Sequence, residues 1–151
     1  MRAYKLTLIL ALCAGLAHAN MGDVDVEASD NADMKAGREA IDRQDWSAAV
    51  DHLSKVAAAE PNNADARNWL GFANRKLGKM EAAFAAYDEA LRLDPRNKHA
   101  HEYVGEAYLM VGDLDKAERH LAELQKLCTP IPCEEHKELE RAIDQYKKSK
   151  K

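Results

Sequence analysis

The stretch ADARNWLGFANRKLGKMEAAFAAYDEALRLDPRN, residues 64–97, decides the fold of this chain. Ala66, Trp69, Leu70 and Ala73 fall at helical spacing. Gly78 interrupts them, and Ala82, Ala83, Ala86, Tyr87, Ala90 and Leu91 then build a second helical face that closes at Asp94-Pro95-Arg96-Asn97. The segment therefore reads as two antiparallel helices. Its small residues return at the same interval on either side: Gly37, Gly71 and Gly105 form one column, and Ala49, Ala83 and Ala117 a second. Leu53, Tyr87 and Leu121 form a third, with Pro61 and Pro95 in a fourth. A fixed period of this length is the mark of a helical array, here with units at 30–63, 64–97 and 98–131.

Each column has a mechanical reason. A glycine inside a helix costs about 1 kcal/mol relative to alanine, so Gly37, Gly71 and Gly105 are expected where a neighbouring helix passes too close for a Cβ. Gly78 and Gly112 fall where the first helix of a unit must end in a left-handed residue, and Gln44 stands at that place in the first unit. Pro61 and Pro95 follow the second helix, which proline cannot continue. The segment from Cys133 to Lys148 predicts one more helix, with Leu139, Ala142, Ile143 and Tyr146 on one face. An array needs such an element to cover its last unit.

Leu70-Gly71, Gly78, Ala83, Tyr87, Ala90 and Pro95 resemble the tetratricopeptide repeat in type and spacing. The third unit matches it through Gly105, Tyr108, Gly112, Ala117 and Leu121, and the first through Ala36-Gly37, Trp46, Ala49, Leu53 and Pro61. The resemblance implies an all-α fold: a right-handed superhelical solenoid of three helix-turn-helix units, closed by a capping helix and basic tail at 132–151. The family's tryptophan position near each unit's start holds Asp33, Arg67 and His101 here, and Thr129 replaces the third proline.

The same resemblance implies that the first helices line a concave groove. Its ligand-facing positions transfer to Asn31, Met34, Arg38, Ile41 and Asp42; to Asp65, Asn68, Phe72, Arg75 and Lys76; and to His99, Glu102, Glu106, Leu109 and Met110. Arg38, Asn68, Phe72, Arg75, His99, Glu102 and Glu106 are the expected partner-binding residues. Such a groove suits an extended or helical peptide carrying both charge signs and an apolar anchor. Some members of the family grip a partner's terminal carboxylate with lysine, asparagine and arginine. Met34, Arg38, His99 and Tyr103 stand at those places here, so binding of chaperone tails is not expected.

The first residues speak to location. Arg2 and Lys5 precede an apolar run, Leu6 to Leu16, and Ala17-His18-Ala19 offers small residues for cleavage. The run is too short to span a bilayer, so 1–19 reads as a cleaved secretory signal and 20–29 as a flexible acidic lead-in. The expected location is periplasmic or secreted, with no stable membrane insertion after cleavage. With 22 basic and 26 acidic residues the net charge is −4, and loss of Arg2 and Lys5 makes the exported chain more acidic still. That balance argues against a nucleic-acid partner.

Export also frames Cys128 and Cys133, which flank Thr129-Pro130-Ile131-Pro132: a disulfide stapling the last helix to the third unit is expected. The competing reading is a thiol-redox or metal site formed with His136. Zinc usually takes four protein ligands, and exchange dithiols usually have two intervening residues; neither pattern is met. His99, Glu102 and Glu106 share a helix face but read as a polar surface rather than a metal site. No catalytic set and no cofactor motif is present in the sequence. The expectation is thus a non-enzymatic adaptor or scaffold that binds another protein or peptide segment in a bacterial envelope, with self-association through the first unit as a further possibility.

Overall fold

A computed structural model describes residues 26–150, with side chains from residue 32 onward. The leader expected at 1–19 lies outside the described residues, as does the lead-in as far as residue 25. Helix α1 spans Val26–Asp42, so the last part of the segment expected as a flexible lead-in is helical. Six helices follow: α2 Trp46–Ala59, α3 Ala64–Lys76, α4 Met80–Leu93, α5 Lys98–Met110, α6 Leu114–Leu127 and α7 Glu134–Ser149. There is no strand among the described residues.

Side chains at the helix starts explain the boundaries. Asn63 and Asn97 accept hydrogen bonds from the backbone N–H groups of Ala66 and Ala100, opening α3 and α5. Asp45 and Asp113 do the same for α2 and α6 through Ala48 and Lys116. The first helices end as expected: Gly78 and Gly112 have φ of 73° and 84°. Gln44 adopts φ 59° at the equivalent place, where a side chain strains the backbone. Gln44→Gly is therefore expected to raise stability by about 1 kcal/mol, read as a higher urea midpoint at unchanged slope.

Consecutive helices pack as antiparallel pairs, and the glycine column marks close approaches, to the following helix at Gly37 and Gly71 and to α7 at Gly105. A Cβ at Gly71 would lie 2.6 Å from Tyr87 Cδ1, one at Gly37 2.8 Å from Leu53 Cγ, and one at Gly105 2.5 Å from Leu139 Cδ2. Ala49, Ala83 and Ala117 are fully buried on the opposing helices. Leu139 and Ile143 place α7 against α5 and α6, closing the core around Ala117 and Leu124. Sγ of Cys128 is joined to Sγ of Cys133 across the intervening loop, with Cα atoms 5.3 Å apart.

The two ranks of helices are not equivalent. α1 touches α3, α3 touches α5 and α5 touches α7, whereas α2, α4 and α6 do not pack on one another. One rank is drawn together and the other splayed, so the stack curves with α1, α3, α5 and α7 on its inner side.

Candidate functional site

The inner wall carries an aromatic floor. Phe72 on α3 and Tyr103 on α5 lie with ring centroids 4.8 Å apart. Trp69 stands 5.9 Å from Phe72 and 6.1 Å from Tyr103, and Trp46 reaches Phe72 at 5.9 Å from the start of α2. All four rings are half-buried, the condition for rings that lend area to a ligand while resting on the core. Two exposed cations sit on them: the Arg38 guanidinium 5.7 Å from the Trp69 ring, and Lys76 Nζ 5.2 Å from Phe72 and 5.9 Å from Trp46. Arg38, Ile41, Asp42 and Trp69 line a small cavity of about 120 Å³ at this end.

The opposite end is acidic. Glu102 and Glu106 project from α5, and Glu135 and Glu138 from α7 stand close enough to act on Glu102. Burial, reinforced by these three like charges, pushes the Glu102 carboxyl up to about 7, against a smaller opposing pull from Arg75. His99 is exposed; its Nδ1 lies 3.6 Å from Glu135 Oε1 and 3.9 Å from Glu102 Oε2, and its ring stacks on Tyr103 at 6.1 Å.

The raised carboxyl has a sign that can be checked. The folded state holds the proton more tightly than the unfolded chain, so Glu102 favours folding fully below pH 4.5. That contribution is lost as the pH rises toward 7. Glu102→Gln is expected to flatten the decline over this window and to be more stable than the wild type at pH 8, by about 1–2 kcal/mol once solvent screening is allowed for. Urea unfolding at pH 5 and pH 8 measures it; equal stabilities of the two proteins at pH 8 would show that the carboxyl is not perturbed.

Of the seven residues expected to meet a partner, Arg38, Phe72, His99, Glu102 and Glu106 reach the inner surface. Asn68 and Arg75 do not. Asn68 is 2% exposed, with its Oδ1 unpartnered, and Arg75 is 5% exposed. Arg75 lies beneath the floor, 5.3 Å from the Phe72 ring and 5.7 Å from Tyr103, with Nη1 2.7 Å from Glu106 Oε2. The expectation of direct contact is corrected for both: a side chain that water cannot reach supports the groove from below. Asn31 lies outside the residues whose side chains are described.

The inner wall also holds Trp46, Trp69, Tyr103, Glu135 and Glu138, which are not among the seven residues expected to meet a partner. Trp69 faces inward two positions after Arg67, which holds the family's usual tryptophan place. Glu135 and Glu138 belong to α7, which packs beside α5 as a fourth inner helix and not merely as a cover.

At the far edge, Gln125, Cys128, Thr129, Pro130, Pro132 and His136 line a cavity of about 240 Å³. His136 is 8% exposed and its Nδ1 has no partner. Among the described residues, no three His, Cys, Asp or Glu side chains converge to hold a metal ion, neither here nor at His99, Glu102 and Glu106. No helix of the described residues is long and apolar enough to cross a membrane.

A family model for the tetratricopeptide repeat matches residues 34–98, and a second model of the same description matches residues 75–127. The TPR repeat-containing thioredoxin TTL4 of Arabidopsis thaliana is 26% identical over 86% of this chain, which spans 20% of that protein's length. The TPR2B domain of yeast Sti1, solved as a complex with pHsp70, superposes with a TM-score of 0.74 at 18% identity, covering 81% of this chain and 98% of that one. PcrH, solved with the chaperone binding region of PopD, gives 0.72 at 19% identity over 83% of this chain and 96% of its own. At these identities the solved structures speak for the fold.

Proposed function

The chain belongs to the tetratricopeptide repeat family, and from that premise we propose that it is a non-catalytic adaptor holding a segment of another protein in its concave groove. The observation that carries the reading is the aromatic floor of Trp69, Phe72 and Tyr103, left half-open on the inner wall between exposed cations and a cluster of carboxylates. An apolar or aromatic side chain of the partner lies on Phe72 and Tyr103. An acidic group meets Arg38 and Lys76, and a basic one meets Glu102 and Glu135. That the Sti1 TPR2B domain and PcrH were each solved in complex with a polypeptide supports a peptide as the occupant.

The leader sequence supports an exported protein of a bacterial envelope, and the Cys128–Cys133 pair fits an oxidising compartment. Cell fractionation with intact-mass measurement tests this: the recovered chain should begin at Asn20 and be two hydrogens lighter than its dithiol form. For the groove, the double change Arg38→Glu with Lys76→Glu is expected to reduce partner recovery at least tenfold without loss of helicity, while Asp88→Lys on α4 leaves it unchanged. Equal recovery by the groove variant and the wild type would reject the groove.

A second reading rests on the cavity beside the disulfide and the unpartnered His136 Nδ1: a thiol-redox or metal-handling accessory centred on Cys128, Cys133 and His136. It requires a readily alkylated thiol pair, or stoichiometric metal that is lost with His136→Gln, in protein taken from the cell, where the adaptor reading requires an intact disulfide.

A further inference from the structure

The position that the family fills with tryptophan is polar in every unit of this chain, and in two of them its side chain meets one from the second helix. In the first unit Asp33 and His52 pair at 2.6 Å. The equivalent places in the second hold Arg67 and Ala86, and Arg67 turns to the Ala57 carbonyl. In the third unit they hold two histidines, His101 on α5 and His120 on α6, with Nδ1 facing Nδ1 at 3.0 Å. We propose that this pair is a binding site for a divalent late transition ion, Cu²⁺ ahead of Zn²⁺.

The protons of the two rings are fixed by their surroundings. His101 is 7% exposed and its Nε2 lies 3.1 Å from the Pro95 carbonyl oxygen. A carbonyl can only accept, so Nε2 carries the hydrogen and Nδ1 presents a lone pair toward α6. A histidine whose other ring nitrogen donates to a backbone carbonyl is the arrangement that orients and strengthens an imidazole ligand. His120 is held in place by the Tyr108 ring, stacked at 5.7 Å with 20° between the planes. One hydrogen, on His120 Nδ1, now bridges the pair. Moving it to His120 Nε2 leaves two neutral imidazoles with both lone pairs free, and no redox change or net proton transfer is needed.

The spacing suits an ion. Two nitrogens bound to one metal at about 2.0–2.1 Å stand about 2.9–3.4 Å apart between right-angle and tetrahedral geometry. The observed 3.0 Å falls at the right-angle end, which suits Cu²⁺ with nitrogen and oxygen donors, and Cu²⁺ leads the affinity order of such ions. Glu123 follows His120 by one helical turn on α6. It is now held by Lys126 at 2.7 Å, an exposed pair that exchanges readily. Glu123 and water complete the coordination. Because no third donor converges in the present structure, the site is an open one of moderate affinity rather than a closed structural cage.

The test uses the full exported chain, freed of metal and titrated separately with CuCl₂ and ZnCl₂ by calorimetry at pH 7.5. The expected result is one equivalent of Cu²⁺ bound, with Zn²⁺ at least tenfold weaker and two coordinated nitrogens in the Cu²⁺ paramagnetic resonance spectrum. His120→Gln should weaken binding at least tenfold while circular dichroism is unchanged, and Glu123→Gln by a smaller factor. His99→Gln and His136→Gln should leave it unaltered. Absence of saturable Cu²⁺ binding, or binding that survives His120→Gln undiminished, would overturn the assignment. Should His120→Gln unfold the chain, the nitrogen count of the wild-type spectrum together with the His99→Gln titration still decides: a single nitrogen, or binding lost with His99, sinks it.

Discussion

Replacing Arg75 by glutamate is expected to destabilise the protein by about 3–5 kcal/mol, the cost of leaving a buried ion without its partner. The guanidinium is sealed beneath Phe72 and Tyr103 and bound to Glu106 at 2.7 Å. A carboxylate there would face Glu106 across the same short distance, and the two could not both remain ionised in so little water. Arg75→Met should cost less, because Glu106 is 30% exposed and water can take over part of its solvation. Urea unfolding followed by circular dichroism measures both. A loss below about 1 kcal/mol for the glutamate variant would place the guanidinium in solvent, where single charges count for little. Charge reversal at this position therefore reports on folding, and the exposed cations Arg38 and Lys76 are the ones to change when binding is the question.

Tyr87→Ala is expected to cost a further 3–5 kcal/mol or so, as removal of a large, fully buried ring does. Its partner in the packing is Gly71, where a Cβ would come within 2.6–2.7 Å of two ring carbons of Tyr87. The ring is rigid and has nowhere to move, so Gly71→Ala alone should lose about 1–3 kcal/mol despite the better helix propensity of alanine. In the Tyr87→Ala background the obstruction is gone, and the same change should be neutral or gain about 1 kcal/mol. A double-mutant cycle measures this reversal of sign. Additive effects would mean that α3 and α4 are not held together by this close approach.

These two sites show what a sequence discloses and what it withholds. The glycine column announced a steric demand, and the structure meets it with Leu53, Tyr87 and Leu139 in turn. The paired helices, the left-handed Gln44 and the closing role of α7 follow from local rules of propensity, chain reversal and apolar spacing. Burial depth across the groove does not follow from such rules. Asn68, Phe72 and Arg75 occupy neighbouring turns of one helix, yet only Phe72 reaches the inner surface, because the side chains of α5 and α4 decide which of them water can touch. Trp46 joins the floor from the second rank of helices, and Glu135 joins the acidic end from the last one. Both are contacts between units, which spacing within a unit cannot express. The pairing of His101 with His120 had a partial signal: a polar residue in an aromatic's place, with a second polar residue on the adjoining helix.

The groove itself is best tested by placing a photoreactive residue at Phe72 in the living cell and, in parallel, at the exposed Ala85 on α4. The adaptor reading predicts one discrete adduct with another protein from position 72, mapped to a short segment of that protein and absent from position 85. Adducts of equal yield from both positions, or none from position 72 while the protein is folded and abundant, would contradict it.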